Sequence, residues 1–222
     1  MSTSSAVVAF SGGQDSTTAL FWARQKFSKV VALSFDYGQR HKIELESAKK
    51  ICKLYEIEHI VLPINTFNAI GGNSLTDNIA VSSEKDKTLP NSFVPGRNLI
   101  FLTYAAAWAW NRQIFDLVTG VGHTDYSGYP DCRQDTMDSL SQTISLGMDA
   151  KFKIHTPLMD LDKAQTVKLA QKLDTLKALA WSHTCYNGEF PPCGTCPACI
   201  LRAQGFAQAQ ISDPLLHRDK YT

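Results

Sequence analysis

The sequence predicts an α/β fold: a parallel sheet with helices on both faces, plus a small metal-binding region near the C-terminal end. Three observations predict it. Short β-branched runs alternate with helical patterns along most of the chain, and this order requires crossover connections and hence parallel strands. A glycine-rich string falls where the first strand gives way to the first helix. Four cysteines then cluster between positions 185 and 199.

The elements follow in order. Residues 6–10 form a short apolar run that reads as a buried strand, and residues 14–26 read as a helix with Leu20, Phe21 and Ala23 turned to the core. The second strand is expected at 30–35. Residues 43–55 carry Leu45, Ala48, Ile51, Cys52 and Tyr55 on one side at spacings of three and four, the mark of an amphipathic helix. A third strand is expected at 60–62, a mostly apolar helix at 98–110 and a fourth strand at 116–121. A helix at 134–148 and a short strand at 152–155 come next. Asp162 opens a further helix, with Gln165 placed to complete a capping box. Residues 65–91 are rich in Gly, Ser, Asn and Thr without clear periodicity. That length suits a lid or a partner contact better than a plain connector. The chain therefore divides into a main nucleotide-binding body at 1–180 and a metal-organised region at 181–222.

Composition narrows the function classes. The 222 residues are 44% apolar, enough for one full core. Lys and Arg total 22 against 21 Asp and Glu, a net charge of +1. A polynucleotide binder usually carries a clear basic excess, so a small-molecule substrate is favoured. No segment approaches the ~20 apolar residues of a membrane span. The first residues lack the basic and apolar regions of a secretory signal, so a cytoplasmic location is expected. Thiols stay reduced there, which turns six cysteines toward metal or catalysis.

The string Phe10-Ser11-Gly12-Gly13-Gln14-Asp15-Ser16-Thr17-Thr18 has the features of a phosphate site. Ligands of parallel sheets collect at the carboxyl ends of strands. Two glycines allow a close backbone approach, and the first N–H groups of the next helix point at an anion. Ser11, Ser16 and Thr17 add hydroxyls, and Asp15 is expected to hold Mg²⁺. A Walker A loop needs a Lys before its Ser or Thr, and Asp15 stands there instead. A loop that grips pyrophosphate without that Lys suits cleavage between the α- and β-phosphates, with AMP transferred. The bland alternative is a Gly-Gly turn between a strand and a helix. The whole string resembles the PP-loop of the adenine-nucleotide alpha-hydrolase families, which implies their Rossmann-like fold.

Cys185, Cys193, Cys196 and Cys199 offer four soft ligands. Four thiolates satisfy tetrahedral Zn²⁺ with no open position, the pattern of a structural site. An iron–sulfur cluster is the rival centre; disulfides and catalytic thiols are the remaining alternatives. Cys52 lies on the apolar side of its helix and reads as packing.

Three further strings narrow the family: Phe35-Asp36-Tyr37-Gly38-Gln39-Arg40-His41, Val94-Pro95-Gly96-Arg97-Asn98, and Asp125-Tyr126-Ser127-Gly128-Tyr129-Pro130-Asp131-Cys132-Arg133. With the PP-loop and the cysteine tail, in order from about residue 6 to 205, they closely resemble the 7-cyano-7-deazaguanine (preQ0) synthases of queuosine biosynthesis. The resemblance implies that 7-carboxy-7-deazaguanine and ammonia are condensed to a nitrile with ATP. It implies nucleotide contacts at Phe10, Ser11, Gly12, Gly13, Gln14, Asp15, Ser16, Thr17, Thr18, Ala19, Leu20 and Asp36. Asp15, Ser16 and Arg97 are expected to be catalytic, Arg97 meeting a phosphate or carboxylate. Tyr126 and Tyr129 are expected to stack on the purine-like ring, with Asp131 and Arg133 also contacting substrate. The plainer readings are an ordinary ion pair for Arg97 and loop packing for the tyrosines. The expected assembly is a homo-oligomer, a dimer, without nucleic acid or membrane. Two rivals remain: a PP-loop enzyme acting on tRNA, such as a sulfur transferase, and a zinc-binding module without catalysis.

Overall fold

The computed structural model describes residues 4–77, 79, 89, 91–123 and 129–221, leaving the side chain of residue 68 undescribed. Five strands form one sheet in the order β3-β2-β1-β4-β5. They are β1 (Ser5–Ala9), β2 (Lys29–Asp36), β3 (Glu58–Pro63), β4 (Asp116–Val118) and β5 (Lys153–His155). Every pairing is parallel. Strand order reverses between β1 and β4, which opens a crevice beyond their carboxyl ends.

The helices are α1 (Gln14–Lys26), α2 (Ile43–Leu54), α3 (Phe67–Ile70), α4 (Arg97–Trp110), α5 (Gln134–Gly147), α6 (Lys163–Lys172), α7 (Leu176–Leu179) and α8 (Pro197–Ala209). Alternation along each strand divides the core in two. Ala6, Val8, Ala32 and Val118 face one way and pack with Ala19, Leu20, Ala48 and Ile51 of α1 and α2. Val7, Leu33, Phe35 and Leu117 face the other way and pack with Ala105, Ala106 and Ala109 of α4 and Ile144 of α5. Helices on both faces of a parallel sheet are therefore present, as the strand–helix alternation requires. Cys52 is buried in the first cluster, and burial pushes its thiol up to about 12. No described helix is long and apolar enough to cross a membrane.

The structure corrects several boundaries. The fourth strand ends at Val118, three residues before the expected 121, because the chain must turn over α1. A Cβ at Gly120 would stand 2.8 Å from the Ser16 backbone nitrogen. Helix α8 was not legible in the Pro- and Cys-rich tail. It starts at Pro197, a favoured first-turn position, with Cys196 as N-cap. Phe206 and Ala209 of α8 pack with Val167 and Ala170 of α6 and with Leu179. The two helices approach so closely that a Cβ at Gly205 would lie 2.9 Å from that of Lys163. Buried Arg202 locks this tail, donating to both carboxylate oxygens of Asp213 at 2.6 and 2.8 Å and to Ser182 Oγ at 2.9 Å. Part of the segment expected to act as a lid, residues 78, 80–88 and 90, lies outside the described residues.

Candidate active site

The phosphate loop spans the turn from β1 into α1. Gly12 adopts φ +88°, and a Cβ there would stand 2.3 Å from the Glu44 carbonyl oxygen. Glycine is thus required twice over, by backbone conformation and by the close approach of α2. Ser11 and Ser16 brace the loop through an Oγ–Oγ contact of 3.0 Å, and Ser16 Oγ donates to the Gly13 carbonyl at 3.2 Å. No side chain caps α1. The N–H groups of its first turn are therefore free to meet an anion. The C-terminal tail closes the loop from behind, where the His183 N–H donates to the Gly12 carbonyl at 2.9 Å.

An open cavity of about 310 Å³ lies above the loop, at the crevice between β1 and β4. Phe10, Ser11, Gly13, Gln14, Asp15 and Ser16 of the loop line it, together with Arg97 and Tyr129. The other predicted residues are placed differently. Thr17, Thr18, Ala19 and Leu20 are fully buried below the loop. The hydroxyls of Thr17 and Thr18 donate to the carbonyls of Gly13 and Gln14, so the Thr17 hydroxyl is not offered to a phosphate as expected. Asp36 ends β2 and pairs with Lys42 at 2.8 Å, which holds its carboxyl below the usual range. It does not line the cavity.

Asp131 is not brought to the cavity either. It is 5% exposed, and its Oδ2 accepts the Asn98 N–H at 3.0 Å. This carboxylate satisfies the start of α4. Arg133 borders a neighbouring hollow that shares Tyr129 and Cys132 with the cavity, along with His123 and Asp135. Tyr129 hydrogen-bonds Ser92 at 2.8 Å through its hydroxyl. Tyr126 lies outside the described residues.

Arg97 opens α4, just after Gly96 in the left-handed region. Its Nη1 donates to the Tyr37 hydroxyl at 3.3 Å. Burial disfavours its charge, but Tyr37, Tyr129, Tyr186 and Asp131 more than offset this and hold its pKa above the usual value. Among the described residues no carboxylate forms an ion pair with it. The plainer reading of Arg97, an ordinary ion pair, is therefore not met among the described residues.

Two cavity residues went unassigned from sequence. Lys163, at the start of α6, reaches Asp15 Oδ2 at 2.8 Å. A lysine in the first turn works against the helix dipole, and that was the available signal. Glu44 is the other. It heads the stripe Glu44, Ala48, Ile51, Tyr55, so an acid stands in line with core positions, and burial pushes its carboxyl up to about 7.

The four tail cysteines converge. One sulfur from each of Cys185, Cys193, Cys196 and Cys199 lies within 4.8 Å of the others, and all four are free thiols. Positive φ at Gly188 (+66°) and Gly194 (+73°) gives the turns that bring them together. The Cys196 N–H donates to Cys193 Sγ at 3.3 Å. The cluster can hold one metal ion.

Comparison with known proteins agrees. A family model described as queuosine biosynthesis protein QueC matches residues 5–210. The chain is 59% identical over 218 residues to a 7-cyano-7-deazaguanine synthase of Chromobacterium violaceum, covering 96% of this chain and 93% of that one. It is 56% identical over 216 residues to one of Laribacter hongkongensis, covering 96% and 94%. Among solved structures, a 4-thiouridine synthetase–RNA complex with bound ATP aligns at TM-score 0.53 and 15% identity, over 98% of this chain and 53% of that one. At that identity the likeness is one of fold.

Proposed function

The chain belongs to the queuosine biosynthesis protein QueC family, and we propose that it makes 7-cyano-7-deazaguanine from 7-carboxy-7-deazaguanine, ammonia and ATP. The observation that carries the reading is a single cavity lined both by an uncapped helix N-terminus and by an arginine that pairs with no carboxylate among the described residues. A carboxylate is inert to ammonia until one oxygen becomes a leaving group. AMP transfer achieves this, and it needs a pyrophosphate site and a carboxylate site side by side.

In this reading the loop from Ser11 to Ser16 binds the phosphates through first-turn N–H groups and the Ser11 and Ser16 hydroxyls. Lys163 supplies the cation that a Walker A loop would carry in its own sequence. Asp15, paired with Lys163 on one oxygen, has its other oxygen buried without a partner. That free oxygen fits a Mg²⁺ ion, which would screen the phosphate charges. Arg97 holds the substrate carboxylate through charge-assisted hydrogen bonds. Tyr129 stacks on the ring.

The cysteine cluster fits Zn²⁺. Four thiolates about 2.3 Å from one tetrahedral ion lie within 4 Å of each other, near the spacing seen here, whereas an iron–sulfur cluster spreads the four sulfurs over two or four irons and so farther apart. The ion would fold the tail that walls the cavity. We read residues 181–222 as a metal-organised extension of the body, the enzyme as an ATP-dependent ligase, its assembly as a dimer and its location as cytoplasmic.

The test is direct. Purified protein incubated with ATP, ammonia and 7-carboxy-7-deazaguanine should give the nitrile by mass. Two oxygens must leave, so two AMP and two pyrophosphate are expected per nitrile, with the primary amide as an intermediate that the enzyme accepts. ADP with phosphate and no AMP would overturn adenylation but not the nitrile product. No nitrile would overturn the reading.

A further inference from the structure

We propose that Glu44 is the general base of the nitrogen-handling steps: it accepts the N–H protons that leave as the carboxylate becomes a nitrile. This rests on the reaction proposed above. The position of Glu44 carries the inference. It stands in the first turn of α2, whose backbone abuts the phosphate loop at Gly12. It lines the same cavity as the loop and as Arg97, and it interacts electrostatically with Arg97. The reacting carbon must lie between the α-phosphate, held at the loop, and the guanidinium that holds the carboxylate. Glu44 belongs to the wall joining those two.

Its carboxylate also has no structural task. Among the described residues it makes no hydrogen bond or ion pair. The other acids near the site are committed. Asp15 is held by Lys163, Asp36 by Lys42 and Asp131 by the Asn98 N–H. The carboxylate is part of the cavity lining, so a ligand that supplies protons can meet it there. His41 also lines the cavity but is pressed against the tail, where a Cβ at Gly188 would meet its ring at 2.4 Å.

The titratable groups around Glu44 favour this role. Arg97 from α4, Tyr37 past β2, Arg40 and His41 ahead of α2, Asp15 with Lys163 at the loop, and Tyr186 and Arg202 from the tail share the cavity walls. Burial raises the Glu44 carboxyl to about 7, with Arg97 opposing. Tyr37 is pushed up by burial and stays protonated. A base that half-ionises near neutral pH combines a useful ionised fraction with enough basicity to take a proton.

The proton accounting is explicit. When ammonia attacks the acyl adenylate, a C–N bond forms. The bond from carbon to the AMP oxygen breaks, AMP leaves with the electron pair, and one N–H proton passes to Glu44. The amide oxygen then attacks the α-phosphorus of a second ATP, pyrophosphate leaves, and a second N–H proton passes to Glu44. The last N–H proton goes the same way as AMP departs with the C–O pair and the N–H electrons complete the triple bond. Between steps Glu44 returns each proton to water. The first AMP transfer, to the carboxylate, removes no proton from nitrogen.

That asymmetry defines the test, made on full-length metal-loaded enzyme. In Glu44→Gln, ATP–pyrophosphate exchange driven by 7-carboxy-7-deazaguanine without ammonia should stay within about threefold of wild type. Conversion of the primary amide to nitrile, which needs no ammonia, should fall about 100-fold in kcat. Wild-type amide turnover should rise with pH through about 7 and level off above, because only the ionised carboxylate accepts a proton. Glu44→Gln should lack that limb. Glu44→Asp, which keeps the carboxylate, should retain it at lower kcat and serves if Glu44→Gln does not fold. Unchanged amide turnover in Glu44→Gln would overturn the proposal. So would an equal loss of exchange, a raised KM at unchanged kcat, or loss of the pH limb in Glu44→Asp. Wild-type enzyme that forms no nitrile from the amide would instead overturn the reaction, and this role with it.

Discussion

Lys163 Nζ lies 2.8 Å from Asp15 Oδ2, joining the first turn of α6 to the first turn of α1 across 148 positions of sequence. The pair should act as a unit on the nucleotide. Lys163→Met and Asp15→Ala are each expected to lower pyrophosphate release by about 100-fold or more, as loss of one charge-stabilising group does. The double variant should lose little beyond either single one, because the groups share one task. Pyrophosphate assays on the three variants check this. Additive losses would show two independent roles, and a lowered melting temperature with near-normal activity would make Asp15 structural.

The cysteine cluster should hold one zinc per chain, and the tail should fold only with it. Structural zinc contributes on the order of 10 kcal/mol to such sites. Cys196→Ser is therefore expected to be metal-poor and poorly soluble. It should also bind ATP weakly, since Cys185, Tyr186 and Ala198 wall the cavity. Elemental analysis and nucleotide titration measure both effects. A metal-free wild type with a fully folded tail would sink the idea.

Arg97 should distinguish the two forms of the substrate. The carboxylate carries a charge for the guanidinium to meet and the amide does not. Arg97→Gln is expected to raise KM for 7-carboxy-7-deazaguanine by about 100-fold, the loss of a hydrogen-bonded charge pair in a partly dry site. KM for the amide should rise by less than about tenfold, a neutral hydrogen bond being weaker. Equal effects on both would move Arg97 to the phosphates.

Asp131 should matter to folding before catalysis. It is buried and accepts the Asn98 N–H in the first turn of α4. Asp131→Ala is expected to cost about 1–2 kcal/mol of stability, as loss of a helix-end acceptor does. Activity per folded molecule should stay within a few-fold. Denaturant melts and kcat on the soluble fraction check it, and a large loss of kcat at unchanged stability would return Asp131 to the substrate.

Much of this molecule is written locally. A β-branched run, a Gly-Gly turn and an uncapped helix are neighbours in sequence, so the phosphate loop from Ser11 to Ser16 can be read without a fold. The cysteine spacing is similarly local, because glycine turns bring sulfurs a few residues apart to one point. Strand–helix alternation determines a parallel sheet, since parallel neighbours need crossovers. Tertiary structure alone decided the rest. Lys163 meets Asp15 only because Gly205 lets α8 press α6 inward, and Glu44 and Arg97 converge only because α2 and α4 flank the mouth of one crevice from opposite faces of the sheet. Asp131 is a further case: its place in a family-specific string suggested a ligand contact, and only packing reveals that one of its carboxylate oxygens accepts the Asn98 N–H at a helix start. Pairings of this kind are set by how closely two surfaces approach, and periodicity along one chain does not encode that distance.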